Sequence, residues 1–383
     1  MKYTLILLAI CFFFSCKNAF NFPKESKEKV TANTTNEKSP LNKIKLPEGF
    51  KIEIYAENVD NARSMDLSPN GTLFVGTREK GDVYALEDTD KNNKADTVHV
   101  LATGLNMPNG VAFKDGDLYI AEVSKISKFV GIEGKLENPP AMTTVYDKYP
   151  TKEHHGWKYI AFGPDGKLYV PVGAPCNICE SDDKVFASIT RLNADGTGME
   201  VVQEGVRNTV GFTWHPVTKE LWFTDNGRDM MGDDMPACEF NHAPKDGMHF
   251  GYPYCHQGDV ADNKFGKKRA CSEFTAPAQN LGAHVAPLGV EFYTGSMFPA
   301  TYKNQAFIAE HGSWNRSKKS GYKISLVTLE NGKATSYTTF AEGWLNADES
   351  VWGRPVDLEL LPDGSMLVSD DHGDVIYRIF YEG

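Results

Sequence analysis

A chain of 383 residues that carries 34 Gly and 20 Pro is punctuated too often for long helices, and its length suits one large all-β domain. Its 40 Lys and Arg stand against 51 Asp and Glu, a formal net charge of −11, with no basic stripe along the chain. A nucleic-acid partner is excluded on those grounds, because polyanion binding rests on clustered Lys and Arg.

The first segment, MKYTLILLAICFFFSC, has one positive charge at Lys2 and an apolar run over residues 3–14. A run that short is a signal-peptide core and not a spanning helix. Ser15 followed by Cys16 resembles the lipobox of bacterial lipoproteins, which predicts a signal peptide over residues 1–15, cleavage before Cys16 and a lipid on its sulfur. Residues 16–45 are polar and poor in large side chains, so they cannot offset their ordering entropy. They are predicted to be a disordered tether that holds a folded domain, residues 46–383, at a membrane of the cell envelope.

The folded part opens with alternation over residues 50–54, and then one unit recurs: strand, turn, strand, turn, strand. Copies begin at residues 64, 109, 153, 211, 289 and 356. Their first turns include Pro69-Asn70-Gly71, Lys114-Asp115-Gly116, Pro164-Asp165-Gly166 and Pro362-Asp363-Gly364. Alternating apolar residues on both sides of a Gly-bearing turn predict a hairpin. Self-similarity at a period of roughly 45 residues is the mark of a β-propeller, whose units bury their faces by stacking radially. Six units predict six blades, a pattern that disfavours a β-sandwich. The strand at 375–380 can share a blade with the one at 50–55, which would close the ring and remove a free edge.

The largest insertion is predicted after blade four, over residues 228–284, dense in Asp, Gly, Pro and aromatic residues. Long loops in compact domains are usually functional, so it is expected to wall a pocket. Earlier, DTDKNNKAD spaces Asp88, Asp90, Asn92 and Asp96 at alternating positions, a set of hard oxygens that suits Ca²⁺ and equally suits a solvated acidic turn.

Five cysteines fall in the folded part, at 176, 179, 238, 255 and 271. In an oxidising compartment some should pair, and the odd count leaves one over. Cys176 and Cys179 are near enough to bridge locally, and Cys255 with Cys271 would staple a loop, but spacing settles neither pairing. CNICE has no second CxxC for zinc and no histidine for haem attachment.

Polar residues stand at equivalent blade entrances: Asn109, the pair His154 and His155, Arg207 with Asn208, His284 and Arg354, while Arg316 follows a strand of blade five. On a propeller these positions converge near the central axis. Histidine suits proton transfer near neutral pH, and guanidinium groups suit an anionic ligand with carboxylates. A GxSxG elbow, a P-loop and a dinucleotide fingerprint are all missing.

HHGWKYIAFGPDGKLYV, GVRNTVGFTWHP, HVAPLGVEFY, HGSWNR and GRPVDLELLPDGSMLVSD together resemble the glucose/sorbosone dehydrogenase family, six-bladed propellers that use pyrroloquinoline quinone (PQQ) and calcium. The resemblance implies PQQ-dependent oxidation of an aldose or a sugar-derived aldehyde. It implies His155 as the base that takes the hydroxyl proton while hydride passes to the quinone. Arg207 and Asn208 match the pair that polarises the quinone oxygens, and Arg354 matches an arginine on a cofactor carboxylate, with Arg316 on the same anion. Asn109 and His284 join the cofactor group by position. The carbonyls of Gly227 and Arg228 match those that hold the cofactor calcium. His154 stands where glucose-oxidising members have an acid, and Gly282 and Ala283 stand in place of a tryptophan, so glucose itself is not the expected sugar. Without a fused haem segment, electrons would leave to a separate cytochrome or mediator. Two other classes use such scaffolds, a calcium-dependent lactonase and a non-catalytic propeller that binds carbohydrate or protein. His, Arg and Asn at the axis favour the dehydrogenase over both.

Overall fold

The computed structural model of the protein describes residues 40–383. The predicted signal peptide, Cys16 and the predicted tether up to residue 39 therefore lie outside the described residues. Helix is limited there to 3-10 turns such as Ala300–Tyr302, and none is long and apolar enough to cross a membrane.

The strands form six four-stranded blades, as the repeat predicts. β1 (Phe50–Glu57) comes first in the chain and belongs to the last blade. Blade one is β2 (Ala62–Leu67), β3 (Leu73–Thr77), β4 (Val83–Glu87) and β5 (Thr97–Ala102). Blade two is β6 (Gly110–Lys114), β7 (Asp117–Ala121), β8 (Ile126–Phe129) and β9 (Thr143–Tyr146). Blade three is β10 (Ala161–Phe162), β11 (Leu168–Val172), β12 (Ser188–Leu192) and β13 (Glu200–Glu204). Blade four opens with β14 (Phe212–Trp214), β15 (Leu221–Asp225) and β16 (Ala237–Ala243). An excursion follows: β17 (Met248–His249), parallel to β13, then a ribbon of β18 (Cys255–His256) and β19 (Val260–Ala261). Only then does β20 (Gln279–Ala283) complete the blade. Blade five is β21 (Pro287–Phe292), β22 (Ala306–Glu310), β23 (Lys323–Glu330) and β24 (Lys333–Glu342). Blade six is β25 (Pro355–Leu360), β26 (Met366–Asp370), β27 (Val375–Tyr381) and, on its outside, β1.

The insertion thus lies inside blade four and not after it. The stretch 228–284 includes two of that blade's own strands, β16 and β20, and the extra segment between them is tied down by a Cys255–Cys271 disulfide.

Strand position explains composition. Second strands are covered on both faces by the neighbouring blades, so β11 (LYVPV), β15 (LWFTD), β22 (AFIAE) and β26 (MLVSD) are buried along their whole length. Outer strands face water on one side, and β9 (TTVY) has no buried residue. The apolar core is accordingly divided into wedges between successive blades: Phe74, Val111 and Leu118 join blades one and two, and Trp222, Val290 and Ile308 join four and five. Closure is made by antiparallel pairing of β1 with β27, from Phe50 opposite Tyr381 to Glu57 opposite Val375. The two strands leave no open edge at the seam.

A candidate active site on the blade-entry face

Because each blade is antiparallel, the chain enters its first strand and leaves its second on the same face. Two residue sets therefore meet there. His155, Arg207, Asn208, His284 and Arg354 lie just before first strands, as predicted. The residue directly after each second strand is Arg78, Glu122, Gly173, Asn226, His311 and Asp371, and this second set went unnoticed in the sequence.

His155 adopts φ 51°, and its Nδ1 lies 2.9 Å from the carbonyl oxygen of Ala174. A carbonyl only accepts, so Nδ1 carries the proton and Nε2 is left with a lone pair and no protein partner. Burial, then the Arg207 charge and His154, push the imidazole well below its usual pKa of 6.5. The His154 ring sits 4.1 Å from it, centroid to centroid. Gly173 makes the close packing feasible: a Cβ there would lie 2.5 Å from the His155 Cβ and 3.4 Å from Asn208 Oδ1.

Asp225, at the end of β15, fixes the Arg-Asn pair by accepting from the backbone N–H of Arg207 (2.8 Å) and of Asn208 (2.6 Å). The Asn208 side-chain amide makes no hydrogen bond within the protein and stays available. Arg207 is different. Its Nε donates to Asn177 O, Nη1 to Asn226 O and Gly227 O, and Nη2 to Asn177 Oδ1 and Asp229 Oδ2, all at 2.9–3.2 Å. All five guanidinium N–H groups are used, so Arg207 acts as a strut in this structure and presents no donor to a ligand.

Two cations with spare donors are Arg78 and Arg354. Arg354 gives Nε and Nη2 to the carbonyls of His311 and Gly312 and keeps Nη1 free. Arg78 stacks on Trp157, 3.9 Å from the ring centroid, and its Nε is buried with no hydrogen-bond partner. Burial and the nearby Arg63 lower its pKa to about 10. Beneath them Arg63 pairs with Asp371 at 2.5 Å, and His311, kept neutral by burial, donates Nε2–H to the same carboxylate at 2.7 Å.

The remaining predicted residues have other work. Asn109 is fully buried and joins blades, accepting from Arg63 Nε and donating to Ser64 Oγ and Lys158 O. His284 binds the Gly232 carbonyl through Nε2 at 2.8 Å, and Arg316 holds Asp233 and Asp234. Both fasten the loop after β15 to blade five. In this structure those three, expected to bind a cofactor, make contacts within the protein. Asp88, Asp90 and Asp96 do converge, their oxygens within 4.8 Å of one another, with Asn92 donating its backbone N–H to Asp88 and Asp90. This turn joins β4 to β5, hence lies on the opposite face and cannot share the centre at His155. Cys176 bridges Cys179, and Cys238 is buried and free.

An anionic quinone fits this site: the orphaned Arg78 Nε, the spare Arg354 donor, the open Asn208 amide and the free His155 Nε2 are the groups that it requires. The calcium fits only in part, since the Gly227 carbonyl is engaged by Arg207 while that of Arg228 accepts no hydrogen bond.

Fold and site define a six-bladed propeller with a buried neutral histidine and a cationic, amide-lined mouth. The chain belongs to the TrAA12-like family, whose profile matches residues 44–381. It is 36% identical over 353 residues to an uncharacterised protein of Borreliella burgdorferi, covering 88% of this chain and 91% of the other. Among solved structures it is similar to a calcium structure of the Trichoderma reesei AA12 enzyme (TM-score 0.79, 19% identity, 92% of this chain and 100% of the other). It is similar also to the holo PQQ domain of pyranose dehydrogenase from Coprinopsis cinerea (TM-score 0.76, 18% identity, 88% and 97%). The PQQ-bound aldose sugar dehydrogenase of Streptomyces coelicolor gives a TM-score of 0.63 at 18% identity, over 88% and 100%. The resemblance drawn from the sequence motifs is borne out at the level of family and fold.

Proposed function

We propose that the protein is a PQQ-dependent dehydrogenase that oxidises an aldose or a sugar-derived aldehyde. The observation that carries this reading is the His155 imidazole, fixed as the Nδ1–H tautomer with an open Nε2, beside the unpartnered Asn208 amide. Support comes from the family and from structural neighbours whose names describe PQQ-bound sugar dehydrogenases.

PQQ, when bound, supplies the two-electron acceptor. His155 Nε2 takes the proton of the sugar hydroxyl, and its lowered pKa keeps it in the basic form at neutral pH. The Asn208 amide donates to negative charge that develops on an oxygen in the mouth. Arg78 and Arg354 bind carboxylates, where a guanidinium with a spare N–H gains a charge-assisted bond. The Arg228 carbonyl, and Gly227's once released by Arg207, are the oxygens for a cofactor calcium. A second calcium in the Asp88–Asp96 turn, a lipid on Cys16 and a separate electron acceptor complete the proposal. The lactonase alternative wants acidic side chains around a metal at the axis. Among the described residues, the three acidic side chains whose oxygens lie within 4.8 Å of one another, close enough to share an ion, are Asp88, Asp90 and Asp96, on the other face.

The test is reconstitution of residues 46–383 with PQQ and Ca²⁺, followed by dye-linked oxidation of a panel of aldoses and aldehydes. Saturable turnover that His155→Ala abolishes, with quinone binding retained, is the expected result. Failure to bind the quinone overturns the reading.

A further inference from the structure

Arg207 sits near His155, and one short loop receives two of its five guanidinium hydrogen bonds. That loop leaves β11 as Gly173-Ala174-Pro175-Cys176-Asn177-Ile178-Cys179. Ala174 uses both backbone groups on the site: its carbonyl takes the His155 proton donor at 2.9 Å, and its N–H donates to the Arg207 carbonyl at 2.8 Å. Three residues on, Asn177 receives Arg207 twice, Nε on its backbone oxygen and Nη2 on Oδ1, both at 2.9 Å. The same Oδ1 accepts the N–H of Asp229 at 2.9 Å, and Nδ2 donates to the Asp229 carbonyl at 3.1 Å. Asp229 is the ion-pair partner of Arg207 at 3.0 Å, so Asn177 holds both members of that pair. Only a side chain with an acceptor and a donor can do this; aspartate lacks the donor and alanine lacks both.

Asn177 is enclosed by the Cys176–Cys179 disulfide, and the far end of the loop is pinned where Cys179 N–H donates to the Tyr252 hydroxyl at 3.0 Å. Cys176 and Cys179 are both partly exposed, so a small thiol can attack either sulfur of this bridge, whereas in the other disulfide Cys271 is partly exposed and Cys255 is 3% exposed.

We propose that Asn177 is the positioning residue for Arg207, and that the Cys176–Cys179 bridge holds Asn177 in place, making the seat of the Arg207 charge sensitive to thiol–disulfide exchange. The role assigned to Arg207 rests on the dehydrogenase reading; its placement does not. The reductant is a dithiol: its thiolate attacks one sulfur of the bridge and forms a mixed disulfide, then its second thiolate displaces the cysteine. Two cysteine thiols and one oxidised dithiol result, with two electrons and two protons transferred to the protein. Because Arg207 is the largest charge holding the His155 pKa down, its departure raises that pKa.

The experiment has two readouts. The first is the arginine Nε–H spectrum of the ¹⁵N-labelled, cofactor-free domain, with the Arg207 signal identified by its loss in Arg207→Lys. In the oxidised wild type that signal is expected to exchange slowly with water, because Nε–H is bonded to the Asn177 carbonyl. It is expected to move to the fast-exchanging position of an exposed arginine in Asn177→Ala, in the Cys176→Ser/Cys179→Ser double variant and after dithiothreitol, while thermal melts show the propeller still folded. The second is the pH profile of kcat/KM, whose acid limb is expected to move up by roughly half to one unit, since a unit charge at a few ångströms acts on that scale. An unchanged, protected Arg207 Nε–H in Asn177→Ala and after reduction overturns the proposal. Loss of protection in a protein without turnover on any sugar supports it and removes the dehydrogenase reading instead.

Discussion

The Nδ1 atom of His155 and the carbonyl oxygen of Ala174 are 2.9 Å apart, and this one bond decides which nitrogen keeps an open lone pair. Burial and the neighbouring Arg207 depress the pKa of the ring from 6.5. The acid limb of kcat should therefore have its midpoint below 6.5, with no further rise from pH 7 to 8. For stability the sign is the same. Below 6.5 the unfolded chain binds a proton that the folded imidazole does not, so His155 contributes stability above that pH and loses it as pH falls toward the folded pKa. Turnover profiles and thermal melts between pH 4.5 and 8, compared with His155→Gln, check both statements.

Gly173→Ala should cost activity far more than it costs the fold. The new methyl would lie 2.5 Å from the Cβ of His155 and 2.7 Å from its carbonyl oxygen, both in rigid surroundings. Overpacking of this kind costs about 1–3 kcal/mol, while displacement of the base should lower kcat by about 10²-fold. Melting temperature and kcat measured on one preparation separate the two effects.

Arg78→Met should move two observables in opposite directions. An unpaired buried Nε is a cost to the folded state, so an apolar side chain of similar length should hold or raise the melting temperature. If Arg78 serves an anionic cofactor, quinone affinity should fall by about tenfold or more, the value of one charge-assisted contact. Equal affinity in the variant would remove Arg78 from the site.

The first strands β2, β21 and β25 carry Asp66, Glu291, Asp357 and Glu359, close enough to feel one another's charge. Burial lifts Asp66 and Asp357 to about 7, and burial followed by repulsion from neighbouring carboxylates lifts Glu291 to about 8 and Glu359 well above its usual range. Between the unfolded values near 4 and these folded ones, the folded chain binds more protons, so stability is full in acid and declines as pH rises through 7 to 8. Melting temperature should drop over pH 6–9, and Glu359→Gln should flatten that decline.

Removal of calcium should destabilise blade one if the Asp88–Asp96 turn binds it. Melting temperature should rise with millimolar Ca²⁺ in the wild type and not in Asp90→Ala; a shift that survives in the variant places the ion elsewhere.

The blades were legible because their hairpins announce themselves: Pro69-Asn70-Gly71 and Pro362-Asp363-Gly364 sit between apolar strands at one period. The pairing of β1 with β27 was legible for the same reason. β16 was missed because Glu239 and Asn241 are buried inside it and break the apolar pattern of a strand. His155 and Asn208 could be found from local motifs. The saturation of Arg207 could not, since its partners come from Asn177, Asn226, Gly227 and Asp229 on two other loops. Arg78 and Asp371 stand directly after second strands, a position that acquires meaning only once both strand ends are known to share a face.

The seam between β1 and β27 also has a consequence for synthesis. A strand made near the start of the domain waits for residues 375–381 before it has a neighbour, so the ring is sealed only after all six blades have been made. A chain that stops short of that segment exposes the free side of β26 and an unpaired β1, two edges ready to recruit another molecule.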